Sequence, residues 1–123
     1  MTLTAVERSK PTSSNGAWER VCATSDLEPE WGEVALLGAR QVAVVKLAED
    51  EVYAVSHTDP HTGANVMARG IVGSRGDRPT LASPLHKEVY DLGTGECFTD
   101  PSLFLQSFRT RVVGGFVEVE LAE

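Results

Sequence analysis

No stretch of this chain sustains an amphipathic helical period for twelve residues, and that constrains its fold more than any other feature. Apolar and β-branched residues come instead in short runs at 18–23, 33–37, 41–47, 52–55, 71–72, 80–82, 88–92, 106–113 and 116–121. Gly, Pro, Asn, Asp and Ser punctuate them, as turns require. Gly38-Ala39-Arg40 reads as a hairpin between two runs, and Gly114-Gly115 reads as another. In the last run Val117, Val119 and Leu121 alternate with Glu118 and Glu120, the period of a strand with one wet face. Residues 56–64 and 83–87 are polar loops, 73–79 is a cluster of turn residues, and 65–69 has room for one helical turn. Many short strands at close spacing predict an all-β fold of antiparallel sheets, sandwich- or barrel-like.

The 123 residues predict one domain, large enough to bury a core without disulfides or metal. Residues 1–16 are polar and aperiodic, so a disordered N-terminal tail is expected there, with the domain over 17–123. The net charge of −7 argues against nucleic acid and against an anionic membrane, since both need clustered Lys and Arg. It suits either simple solubility or docking on a basic partner. No apolar leader or membrane-length run is present, which predicts a cytoplasmic protein. Cys22 and Cys97, far apart and outside any CxxC pair, are then expected to be free, with Cys22 a small core residue.

Two loops carry more specific information. Asp59-Pro60-His61-Thr62-Gly63 and Ser83-Pro84-Leu85-His86, the latter continuing to Tyr90-Asp91 and Gly95, resemble the two cluster-binding loops of Rieske proteins. That family places Cys-Pro-His-x-Gly in the first loop and Cys-Pro-x-His in the second. The flanking Val52-Tyr53-Ala54-Val55 and Met67-Ala68-Arg69-Gly70 match its texture as well. The resemblance implies a Rieske-type fold over roughly residues 18–121. A Rieske cluster takes two thiolates on one iron and two imidazoles on the other. The thiolate positions here are Asp59 and Ser83, oxygen donors where a soft sulfur is needed. Loss of the iron–sulfur cluster is therefore expected, leaving Asp59, His61, Ser83 and His86 as degenerate loop positions.

Rieske-like domains without these cysteines occur as small subunits of assimilatory NAD(P)H-dependent nitrite reductases. This chain resembles them in His57-Thr58-Asp59-Pro60, Ala82-Ser83-Pro84-Leu85, Met67-Ala68-Arg69-Gly70-Ile71-Val72 and Asp100-Pro101. The resemblance implies a non-catalytic subunit with no cofactor of its own. Its partner would be a large subunit carrying FAD, siroheme and a 4Fe-4S cluster and using NAD(P)H to reduce nitrite to ammonium. One departure is that His61 and His86 survive where that subfamily is expected to have apolar or basic residues.

Two other readings remain open on the residues alone. One is a Rieske-type electron-transfer protein with unusual ligands. The other is a mononuclear metal site drawn from Asp59, His61 and His86, with His57 nearby. The simpler reading of that group is a set of loop residues sharing hydrogen bonds. Tyr90 is expected to pack into the sheet and Asp91 to support a loop; Gly93 and Gly95 read as turn glycines. Ser83 lacks the context of a nucleophile. Trp18 reads as a core or edge aromatic, and Trp31, between Glu30 and Gly32, as a candidate docking residue.

Overall fold

A computed structural model describes residues 2–4, 17–85 and 87–121. His86 and most of the expected N-terminal tail lie outside the described residues. Among the described residues, eleven strands form three sheets. The largest contains β1 (Thr2–Thr4), β3 (Glu33–Leu37), β4 (Arg40–Ala48), β5 (Glu51–Ser56) and β9 (Ser107–Phe108), in the order β1-β3-β4-β5-β9. A second is ordered β10 (Thr110–Val113), β11 (Phe116–Leu121), β2 (Ala17–Ala23), and the third joins β6 (Ile71–Arg75), β7 (Arg78–Ala82) and β8 (Val89–Asp91). Among the described strand pairs all are antiparallel except β1 with β3, where Thr2 stands beside Val34.

The five-stranded sheet is the middle layer, and β4 shows why. Val42, Ala43, Val44 and Val45 are all fully buried, so the strand has no wet face. Val42 and Val44 join Val21, Leu37, Val117 and Val119 in one core, while Ala43 and Val45 join Met67, Leu81, Tyr90 and Leu105 in another. A strand buried on both faces needs a continuous apolar run, and β4 supplies one. The run ends at Lys46, whose buried side chain reaches out so that Nζ donates to the Thr24 carbonyl at 2.8 Å.

Three local expectations are revised. The face of β11 expected to be wet is covered. Glu118 and Glu120 are only 9% and 6% exposed. Arg111 Nε donates to Glu118 at 2.7 Å, Arg20 lies 3.5 Å from the same carboxylate, and Arg109 caps Glu120 at 3.4 Å. Arg111 also stacks on Trp18, 4.1 Å from its ring centre. The run 106–113 is two strands, because the chain changes sheets at Arg109: β9 pairs with β5 and β10 with β11. The turn cluster 73–79 shrinks to Gly76-Asp77, since Gly76 at φ +66 closes the hairpin alone and leaves Gly73–Pro79 positions on either side free to pair. The helical turn is a 3₁₀ turn at Met67–Arg69.

Candidate functional site

The loop after β5 and the loop after β7 meet at one buried contact. Asp59 is 0% and Ser83 1% exposed, and Ser83 Oγ donates to Asp59 Oδ2 at 2.6 Å. The other carboxylate oxygen accepts the His61 amide at 2.8 Å. Asp59 also ties its own loop through its backbone, donating to Ala64 and accepting from Gly63, both at 2.7 Å. Ser83 organises the second loop: its Oγ accepts the Leu85 amide at 3.2 Å and its carbonyl accepts the Lys87 amide at 3.0 Å. Lys87 completes that turn in the left-handed region, at φ +62. Burial pushes the Asp59 pKa up, but the donors from Ser83 and from the amides of His61 and Thr62, with His61 nearby, outweigh it and hold the carboxyl below its ordinary value. Asp59 is thus a charged, hydrogen-bonded clasp between the loops.

The donor set does not fit a Rieske cluster. Two donors on one tetrahedral ion stand roughly 3.4–3.8 Å apart at bond lengths of about 2.1–2.3 Å. Asp59 and Ser83 instead touch as a donor–acceptor pair at 2.6 Å. Neither cysteine stands in for them. Cys22 lies in the first core with its thiol pushed up to about 11, chiefly by burial. Cys97 is buried in the second core, its sulfur 3.4 Å from the Thr99 hydroxyl. Among the described residues no three His, Cys, Asp or Glu side chains are grouped to hold a metal ion.

The candidate residues divide by role. His57 is 6% exposed and its Nδ1 accepts the Ala68 amide at 3.1 Å, bracing the first loop against the 3₁₀ turn. Burial, then the charge of Arg69, lower its pKa, so the imidazole is neutral. His61 is 41% exposed at its side chain, with Nδ1 3.7 Å from Glu88. Tyr90 packs fully buried in the second core, and its hydroxyl has no hydrogen-bond partner among the described residues. Burial raises its pKa far above the ordinary phenol value. Asp91 does support a loop: Oδ1 accepts the amides of Gly93 and Thr94 at 2.7 and 2.9 Å. Its other oxygen takes Arg78 Nε at 2.6 Å, and Arg78 reaches on to Glu96 at 2.9 Å. Sequence reasoning missed this Arg78 clamp, because it depends on the pairing of β7 with β8, which sets Thr80 opposite Asp91 and brings Arg78 within reach. Trp31 is 61% exposed.

Comparison with known proteins agrees with this fold. Residues 17–120 match the family model of the Rieske-like [2Fe-2S] domain. The "Nitrite reductase (NADH) small subunit" of Escherichia coli (strain K12) is 34% identical over 103 residues, covering 83% of this chain and 95% of that one. The solution structure of the nitrite reductase [NAD(P)H] small subunit from Erwinia carotovora superposes with a TM-score of 0.74 at 37% identity, covering 86% of this chain and 82% of that one. A segment of the Klebsiella oxytoca "Nitrite reductase [NAD(P)H] large subunit" is 30% identical over 110 residues, 89% of this chain but 11% of that protein. The chain belongs to the Rieske-like domain family, among the nitrite reductase small subunits.

Proposed function

We propose that this chain is a cluster-free, non-catalytic subunit that supports the large subunit of a cytoplasmic NAD(P)H-dependent nitrite reductase. The observation that carries this reading is the Asp59–Ser83 hydrogen bond, which fills the space between the loops with a bonded pair of oxygens. A chain built this way has no redox centre to relay electrons, so it acts through its surface. The electron path from NAD(P)H to nitrite, through FAD, a 4Fe-4S cluster and siroheme, belongs to the partner. The Klebsiella oxytoca match supports the pairing, because there a segment similar to this chain is part of a large-subunit polypeptide. The domain over 17–123, with β1 added at the edge of its largest sheet, would be the working unit.

Co-expression with the large subunit from the same organism tests the reading. The two chains are expected to elute together on size exclusion, with flavin and siroheme absorbance in the shared peak. Separate elution of a folded small subunit and a cofactor-loaded large subunit would refute it.

A further inference from the structure

We infer that the small subunit docks through a groove along the seam between its five-stranded sheet and β6–β7, and that the occupant is a basic segment of the large subunit carrying an apolar side chain. The inference rests on the pairing proposed above and locates it on the molecule. The groove is two adjoining concavities. One, of about 150 Å³, lies between Trp31 and Arg69 with Val34 and Ala68 beneath. The other, of about 390 Å³, is floored by Leu47, Val72 and Pro79. Glu30 lines both, so they lie side by side.

Several local features build this surface. Gly32 lets the Trp31 loop lie directly on the Ala68 carbonyl, where a Cβ would collide with it. Glu30 takes the left-handed region at φ +63 in the same loop. The indole then stands out beside the groove, 61% exposed, an anchor of the kind that dominates protein interfaces. Gly73, Ser74 and Gly76 line the far wall, and their small size keeps it low. Val34, Leu47 and Val72 are partly covered residues at the edge of the second core, so an apolar occupant would extend that core's burial.

Charge selects the occupant. Glu30, Glu51 and Asp77 border the larger concavity, which no Lys or Arg lines. No Lys or Arg among the described residues pairs with any of the three. Arg69 stands at the opposite end. Lys or Arg flanking an apolar side chain therefore complements both the rim and the floor, and such pairing speeds and orients association.

The test measures affinity for the purified, cofactor-loaded large subunit, read by surface plasmon resonance. Trp31→Ala, and separately the double change Glu30→Lys with Asp77→Lys, are compared with Leu85→Ala on the second loop. Each groove variant is expected to weaken binding at least about tenfold, as losses at central anchors do. The charge variant should also lose the salt dependence of the wild-type association. Leu85→Ala, 50% exposed in the wild type, should bind normally. Thermal melts identify any variant that fails to fold, and Trp31→Phe then serves in place of Trp31→Ala. Groove variants that bind like the wild type, a Leu85 variant that binds worse than they do, or self-association of this chain through Trp31 would each overturn the inference. A wild-type chain that never binds the large subunit would instead sink the pairing itself.

Discussion

Ser83→Ala probes the clasp between the loops. The change deletes the 2.6 Å donor to Asp59 and the 3.2 Å acceptor of the Leu85 amide. A hydrogen bond to a charged group contributes about 1.5–3 kcal/mol, and a buried carboxylate that loses a donor is left underpaired. Asp59 keeps the His61 amide, so the loss stays partial. The expected cost is about 2–3 kcal/mol, a fall in Tm of roughly 10 °C for a domain of this size. The pH dependence follows from the depressed Asp59 pKa. Above the unfolded carboxyl value of about 3.9 the bond acts at full strength, and its contribution is lost as pH falls through the lower folded value. The gap between wild type and variant should therefore be widest near neutral pH and narrow in acid. Urea unfolding followed by tryptophan fluorescence, repeated across pH, measures it. Ser102→Ala is the control: it removes a 2.7 Å bond to Asp100 in an exposed setting and should leave the midpoint unmoved. A Ser83 variant within about 0.5 kcal/mol of wild type near neutral pH would refute the reasoning, because that is the size of an ordinary surface change. So would a gap that acid leaves unaltered.

Three further perturbations follow. Tyr90→Phe removes a buried hydroxyl that has no partner, so equilibrium unfolding should show no loss and a gain of up to about 1 kcal/mol; a clear destabilisation would mean the hydroxyl is bonded in solution. Gly95→Ala places a Cβ against the Leu105 carbonyl at φ +86, and should cost about 3 kcal/mol or more in the same assay or prevent folding; near-wild-type stability would show that this backbone relaxes easily. His57 has a lowered folded pKa, so its neutral form is favoured by folding: its contribution is full above the unfolded value of about 6.5 and falls away below it. His57→Asn keeps an acceptor for the Ala68 amide and should flatten that part of the stability profile; an unchanged slope would assign it to another group.

The sequence was most legible where one physical demand dominates. The β-branched runs at 33–37 and 41–47 around Gly38 marked a hairpin, and β3 and β4 form it. The oxygen donors at Asp59 and Ser83 were visible as departures from a sulfur-binding pattern, and the two meet in the fold. What stayed hidden depends on partners distant in sequence. The wet face of β11 was inferred from alternation alone, which cannot register that Arg20, Arg109 and Arg111 would close over it. The break at Arg109 has no local signal, because both halves of the run are good strands and only their sheet partners differ. The groove beside Trp31 arises from the approach of Gly32 to Ala68, a contact that spacing along the chain does not announce.

Iron and acid-labile sulfide, quantified in chain purified without oxygen and checked by absorbance and electron paramagnetic resonance after reduction, address the central claim most directly. The account predicts neither element in stoichiometric amount and no reducible signal. Two irons and two sulfides per chain with a Rieske-type spectrum would contradict it and make this protein an electron carrier.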